Sequence, residues 1–227
     1  MNDIESYYTQ RVSHSKNLLY QVGKTIDGKP VNEHQLNLIT QTIKHELKLS
    51  TTDTVIDFGC GNGVLTKTLT NSTKTIIGIE RNKALYSQAS KYLNNQKVSL
   101  VNANILHHDT KLLSFNKAYC YEVIQHLTYL ETKNFLFQTV KNLPKNGLLF
   151  LGGIPDEQRK SNFYNTEYRQ RTLAKTLLET GSDPVGTWFL PVFFYELADK
   201  LSATCKILDQ HKDLYSAHYR FDCLIRA

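Results

Sequence analysis

The sequence predicts an α/β protein built on a doubly wound, mostly parallel sheet of seven strands, with an antiparallel strand at its edge and a Rossmann-like architecture. Residues 54–153 alternate short runs of β-branched and apolar residues with stretches of helical character. Such alternation is typical of βαβ units, whose right-handed crossovers build a parallel sheet with helices on both faces. The tail adds two strand-like runs too close together for a crossover helix, which predicts an antiparallel pair.

The N-terminal 50 residues are polar and mostly helical in character. The loop "GKTIDGKP" carries glycines and a proline that exclude regular structure. After it, "NEHQLNLITQTIKHELKL" places Leu36, Ile39, Ile43 and Leu47 on one helical stripe. We therefore expect residues 1–50 to form a helical lid on a core made by residues 51–227.

The core elements follow in a regular order. The strands "TVIDF" and "TIIGIE" are each followed by a helix, "GVLTKTLTN" and "NKALYSQASKYLNN". The third strand is "VSLVNA", and the fourth, "KAYCYEV", precedes a long helix around "YLETKNFLFQTVKNL". The fifth strand, "GLLFLGG", leads into an insertion at residues 155–190, and the tail reads as helix "VFFYELADKLSA" and strands "CKILDQ" and "HYRFDCLIRA". The insertion is expected to cap the substrate site.

Composition narrows the class of protein. The chain begins without an apolar signal core, and it has no apolar window long enough to span a membrane. Four cysteines without a CxxC pair fit reduced thiols, and we expect a cytoplasmic protein. The formal charge of +6 is too mild to identify a nucleic-acid binder. The "HHD" run at residues 107–109 is interpreted as a polar loop, and no metal is expected.

The loop after the first strand, "DFGCGNG", indicates a bound nucleotide-like cofactor. Glycine lets the backbone approach a ligand closely and adopt positive φ. The dinucleotide fingerprint GxGxxG would need a third glycine where Val64 stands, and no GK[ST] follows for a P-loop. The spacing is instead GxGxG, with Asp57 two residues before the first glycine.

This DxGxGxG pattern resembles the class I S-adenosylmethionine-dependent methyltransferases, over about Thr54 to Gly153. The resemblance implies a Rossmann-like methyltransferase fold whose glycine loop packs against the methionine part of the cofactor. It also implies that the acid of the loop holds the ammonium end of that cofactor. The matching residues are Asp57, Gly59, Cys60, Gly61 and Asn62.

Further positions resemble the family in the same order along the chain. Glu80 ends the second strand with Arg81 behind it, and a carboxylate there can accept both ribose hydroxyls. Asn104 stands where relatives often have an aspartate toward the adenine amino group, and Ile105 would pack on the adenine ring. The segment "YCYEVIQHL", beginning with Tyr119 and including Tyr121, resembles the end of the fourth strand in the family. Each position alone is also compatible with an ordinary loop.

The chemistry expected from the resemblance is an in-line displacement at an activated methyl group, in which alignment and desolvation matter most. His126 is the candidate base, with a structural role as the alternative. Glu122 and Tyr121 would orient the cofactor or the acceptor. Tyr8 belongs either to a lid over the cofactor, and would then contact substrate, or to an ordinary amphipathic helix.

The acceptor is expected to be a small molecule, anionic or sugar- and nucleotide-like, methylated on oxygen or nitrogen. The insertion mixes basic and aromatic residues, and the candidate contacts are Arg159, Arg169, Arg171 and Trp188. A solvated basic helix is the alternative for these arginines. Alternatives for the whole chain are a tRNA, rRNA or protein methyltransferase, or a non-catalytic binding subunit. A nicotinamide-dependent reductase is disfavoured by Val64, and a monomer or homodimer is expected.

Overall fold

The computed structural model describes residues 4–94, 96–107 and 110–227. His108 and Asp109 of the "HHD" run lie outside these residues. Seven strands form one sheet in the order β3-β2-β1-β4-β5-β7-β6, and all are parallel except β7. The strands are β1 Thr54–Phe58, β2 Thr75–Glu80, β3 Val98–Asn102, β4 Lys117–Tyr121, β5 Leu148–Pro155, β6 Thr204–Asp209 and β7 Arg220–Arg226.

The predicted fold class is confirmed, with one difference in detail. The antiparallel strand β7 lies one place inside the edge, between β5 and β6. The short connection after β6 can only make a hairpin, so β7 runs back beside β6 and fills the gap next to β5. The edge strand β6 is itself parallel to the central strands.

Strand order reverses between β1 and β4, where Val55 pairs with Ile76 on one side and with Lys117 on the other. Ligands of doubly wound sheets bind beyond the carboxyl ends of the strands at such a point. The loops after β1 and β4 therefore open side by side, which brings the glycine loop next to the segment containing His126.

Helices cover both faces of the sheet, as the nearly continuous burial of β1, β4 and β5 requires. One face packs against α6 and α9 through Phe135, Leu136 and Phe194. The other packs against α3 and α4 through Ile39, Ile43 and Leu69. The helices are α1 Ile4–His14, α2 Leu18–Gln21, α3 Glu33–Glu46, α4 Val64–Leu69, α5 Lys83–Tyr92, α6 Tyr129–Asn142, α7 Lys160–Phe163, α8 Glu167–Thr180 and α9 Pro191–Lys200.

The N-terminal segment divides into two parts. Helix α3, expected in the lid, is a core helix: Ile43 and Leu47 are fully buried against β1 and β2. Of the N-terminal segment, residues 4–32 lie over the site, as α1, α2 and a two-stranded ribbon, Thr25–Ile26 with Lys29–Pro30. The ribbon forms within the segment "GKTIDGKP" that was predicted to be an irregular loop, because the turn at Asp27 and Gly28 lets its two short arms pair. Every helix in the described part of the chain is too short or too polar to cross a membrane.

Candidate active site

A deep pocket opens at the carboxyl ends of β1, β2 and β4, where the topology predicts it. Its wall combines apolar side chains with a few acidic and polar groups, as is typical of small-molecule sites. The predicted cofactor residues in its wall are Asp57, Gly59, Cys60, Gly61, Glu80, Arg81, Asn104, Ile105 and Tyr121.

The glycine loop lines the pocket with backbone because its geometry leaves no room for side chains. Gly59 and Gly61 have φ of +76° and +58°, in the left-handed region that favours glycine. A Cβ atom at Gly59 would lie 2.5 Å from a methyl carbon of Val123, and one at Gly61 would lie 2.9 Å from Val22. The loop is thus fixed between the N-terminal segment and the segment after β4.

Glu80 connects the loop to the end of β2. Its Oε2 accepts a hydrogen bond from the Gly61 backbone at 3.0 Å, and its Oε1 accepts one from the Asn82 backbone at 2.7 Å. Burial raises the pKa of the Glu80 carboxyl, while the two backbone donors oppose that rise. The carboxylate both shapes the loop and faces the pocket, as a ribose contact would require.

Asp57 lies deeper in the same wall. Its Oδ2 accepts hydrogen bonds from the hydroxyl groups of Thr66, at 2.6 Å, and Tyr119. Burial raises the pKa of Asp57 to about 7, and the charge of Glu80 acts in the same direction. A cationic group bound in the pocket would therefore lower the pKa of Asp57 and favour its ionised form.

Asn62, also predicted to touch the cofactor, lies outside the pocket wall. Its amide nitrogen donates to the Leu18 carbonyl at 2.8 Å and to the Gln21 side chain at 2.9 Å, and the residue is fully buried. Its position connects α2 to the glycine loop. Asn104 and Ile105 do line the pocket, with the Asn104 side-chain oxygen accepting from the Leu106 backbone at 3.0 Å.

Helix α1 closes the pocket from above. Glu5 pairs with Arg81 at 2.7 Å, and the Asn82 side chain donates to both the carbonyl and the carboxylate of Glu5. Tyr8 and Ile4 reach into the pocket. Sequence reasoning found Tyr8 but missed Glu5 and Asn82, since only the packing of α1 on α5 shows that they meet.

The far end of the pocket joins the lid to the segment after β4. The Tyr8 hydroxyl and His126 Nε2 lie 3.2 Å apart, and their rings meet edge to face. Desolvation by the surrounding protein, together with the positive charges of Arg220 and Arg81, lowers the pKa of His126 to about 4. His126 is therefore a neutral imidazole near neutral pH.

Glu122 stands beside this pair in a strained conformation, with φ of +56°. Its carboxylate binds Lys24 Nζ at 2.6 Å and accepts from the Tyr215 hydroxyl at 2.7 Å. Burial raises the pKa of Glu122, but the charges of Lys24 and Arg220, with the hydrogen bonds from Lys24 and Tyr215, together outweigh it and the pKa is lowered. Lys24 also lies 4.6 Å from the centre of the Tyr121 ring. No sequence pattern pointed to Lys24, which immediately precedes the ribbon strand Thr25–Ile26.

The four residues of the insertion that were predicted to bind the acceptor lie outside the pocket wall. Trp188 is buried in an aromatic cluster with Tyr164 and Tyr219. The three arginines form ion pairs outside the pocket wall: Arg159 with Asp156 and Asp209, Arg169 with Asp27, and Arg171 with Glu167. Among the described residues, no group of three or more His, Cys, Asp or Glu side chains is arranged to hold a metal ion.

The strand order, the glycine loop after β1 and the acid at the end of β2 define a class I S-adenosylmethionine-dependent methyltransferase. The residues present fit this cofactor, because two acids, Asp57 and Glu80, and the backbone of the glycine loop line one pocket. The family model of the ribosomal RNA adenine dimethylases matches residues 33–181. The chain belongs to this family.

Comparison with individual proteins agrees on the class. An uncharacterized methyltransferase of Oceanobacillus iheyensis is 25% identical over 157 residues, which cover 69% of this chain and 70% of that protein. The N-methyltransferase NodS of Bradyrhizobium japonicum, solved with S-adenosylhomocysteine, has a TM-score of 0.68 at 13% identity, covering 99% of this chain and 98% of that one. A S-adenosylmethionine-dependent methyltransferase of Leishmania major also reaches 0.68, at 12% identity, covering 98% and 82%.

Proposed function

We propose that the chain methylates a nitrogen atom of a small molecule, which binds beside Tyr8, His126 and Tyr121. The observation that carries this proposal is the contact between Tyr8 of the lid and His126 of the core. This contact narrows the far end of the pocket, so that a compact acceptor fits there better than a folded macromolecule. Residues 4–32 supply the cover and the segment after β4 supplies the floor.

The protein's own part in the reaction is to bind, align and exclude water. The cofactor supplies a methyl group on a positively charged sulfur. Asp57 is proposed to hold its ammonium group, Glu80 its ribose, and Asn104 with Ile105 its adenine. Helix α1 then covers the site and removes water from the path between the two ligands.

His126 is proposed to accept a hydrogen bond from the acceptor's N–H. A base with a pKa of about 4 removes a proton from an alcohol inefficiently, since catalytic bases work best near the operating pH. A neutral amine needs no prior deprotonation, because its proton becomes acidic only after methylation. Burial raises the pKa of Tyr8, so its hydroxyl stays protonated and can donate to the same nitrogen ligand or to His126.

Methylation of an adenine amino group in RNA is the second candidate, favoured by membership of the ribosomal RNA adenine dimethylase family. An exocyclic amine is also a nitrogen nucleophile, but an RNA base would have to be flipped out of its stack to reach this pocket. The narrow far end and the mild charge of +6 argue for the small acceptor.

A labelled-methyl assay separates the two candidates. The purified chain and labelled S-adenosylmethionine are incubated with a pool of small metabolites and, separately, with ribosomal RNA. Label in the small-molecule fraction, lost in His126→Ala at unchanged S-adenosylhomocysteine affinity, is the expected result. Label in adenine of digested RNA, with none in the metabolites, would replace the first candidate by the second.

A further inference from the structure

Arg220, the first residue of β7, is a buried cation without an ion-pair partner. It is 7% exposed, and among the described residues no carboxylate forms an ion pair with it within 4.0 Å. The two neighbouring acids are already engaged. Glu122 binds Lys24, and Asp222 accepts from the Gly153 backbone and from Gln210.

The guanidinium group of Arg220 is also incompletely hydrogen-bonded. Its Nη1 donates to the Gly153 carbonyl, and its plane lies over the Tyr219 ring at 5.0 Å. Its Nε–H is buried and has no acceptor. An unpaired buried donor is destabilising, while the nearby charge of Glu122 balances part of the Arg220 charge. A fold that retains such a group has a reason to do so, and a ligand anion would supply the missing acceptor.

A second unpaired donor belongs to a residue that packs near the same aromatic ring. Trp188 is 3% exposed, its Nε1–H has no acceptor, and its ring centre is 6.1 Å from that of Tyr219. Phe163 and Tyr164 of the insertion pack against Trp188 and cover the pair. A ligand reaching both donors must therefore displace part of this aromatic cluster.

Arg220 lies behind the acceptor side of the pocket wall. Arg220 contacts the Gly153 carbonyl, and a Cβ atom at Gly153 would lie 2.5 Å from the side chain of Glu122. Glu122 is part of the pocket wall beside His126. An anionic group held at Arg220 would thus place the rest of a small molecule toward the transferable methyl group.

We propose that Arg220, with Trp188 beside it, binds a carboxylate or phosphate group of the methyl acceptor. A planar guanidinium matches two oxygens of such a group, and the indole N–H serves a third or shares one of them. The inference rests on the proposed small acceptor. It assigns the anion contact to a residue of β7 and not to the arginines of the insertion.

Trp188 is the only tryptophan of the chain, so its fluorescence reports on this site alone. The S-adenosylhomocysteine-bound protein is titrated with inorganic phosphate and with malonate at constant ionic strength. We expect a saturable change in emission with at least one of them. Arg220→Gln should weaken that binding by about tenfold or more, and Arg220→Lys by less, because lysine keeps the charge but loses the paired donors.

Arg226→Gln, at the exposed end of the same strand, is the matched control and should titrate like the wild type. Calorimetry with S-adenosylhomocysteine shows whether each variant is folded. If Arg220→Gln is not folded, the anion affinity of Arg220→Lys is compared with that of the wild type instead. No emission change with either anion, or equal affinities in wild type and the folded Arg220 variant, would overturn the inference. The labelled-methyl assay tests the proposed function separately, because it depends on methyl transfer and not on Trp188 emission.

Discussion

Replacing Glu80 by alanine tests whether one carboxylate holds both the glycine loop and the cofactor. The Glu80 carboxylate accepts hydrogen bonds from the backbone N–H groups of Gly61, at 3.0 Å, and Asn82, at 2.7 Å. The substitution removes the acceptor of both bonds. Hydrogen bonds to a charged group contribute about 1.5–3 kcal/mol each. Burial of the carboxylate, which raises its pKa, offsets part of that gain, so we expect a net loss of about 2 kcal/mol in unfolding free energy.

The loss in cofactor affinity should be separable from the loss in stability. Removing the proposed ribose contacts weakens S-adenosylhomocysteine binding by about 1.5–3 kcal/mol, which is roughly 10- to 150-fold. Glu80→Gln keeps one acceptor oxygen and should fall between alanine and wild type. Calorimetric titration gives the affinity and denaturant unfolding gives the stability.

The exposed Glu196 on α9 provides a control, since Glu196→Ala should change neither quantity. Should Glu80→Ala bind S-adenosylhomocysteine within about threefold of wild type while remaining folded, the cofactor does not contact this carboxylate. An unfolding free energy equal to that of the wild type would show that water replaces the carboxylate as the acceptor of the two backbone N–H groups. The glycine loop would then not depend on Glu80 for its stability.

Three further perturbations test the rest of the pocket. The pKa of Asp57, about 7 in the fold against about 3.9 in an unfolded chain, gives a stability contribution that is full below the lower value and lost as pH rises through the higher one. Asp57→Asn should therefore flatten the decline in unfolding free energy of the ligand-free protein between about pH 4 and 7; an unchanged slope contradicts this. Tyr8→Phe should lower kcat by about 2- to 10-fold through the lost bond to His126, with unchanged S-adenosylhomocysteine affinity in calorimetry; an effect on affinity alone would place Tyr8 with the cofactor. Lys24→Met should cost about 3–5 kcal/mol of stability by leaving Glu122 buried and unpaired, and adding Glu122→Gln should recover much of it in denaturant unfolding, whereas additive losses would show that the pair is not coupled.

The sequence predicted the sheet because its order follows from local signals and a general rule of handedness. Strand composition marks β1 to β5, and right-handed crossovers leave few arrangements for them. Asp57 and Glu80 could be placed at the pocket for the same reason, since they lie next to and at the carboxyl ends of β1 and β2. The prediction of α3 as a helix was also right, but its apolar stripe could not show that it packs on the sheet and not over the site.

Pairings between distant segments could not be predicted in this way. Lys24 and Glu122 are separated by 98 positions, and no sequence pattern around either residue indicates that the two form a pair. The arginines of the insertion show the converse problem. Their density suggested an anion site, yet Arg169 pairs with Asp27 across the fold. Charge counted along a chain says nothing about which charges are already neutralised.

The ribbon of the N-terminal segment joins the lid, the site and the insertion. Lys24 binds Glu122 inside the pocket, and Asp27, three residues later, binds Arg169 of the insertion at 3.1 Å. Breaking the contact between Lys24 and Glu122 leaves a buried charge without its partner, which costs about 3–5 kcal/mol. The contact between Asp27 and Arg169 is exposed on the Asp27 side and contributes about 0–1 kcal/mol. Entry of an acceptor should therefore break the contact between Asp27 and Arg169 first and leave the contact between Lys24 and Glu122 in place. The insertion, which covers Trp188 and Arg220, would then move while the ribbon stays closed over the pocket.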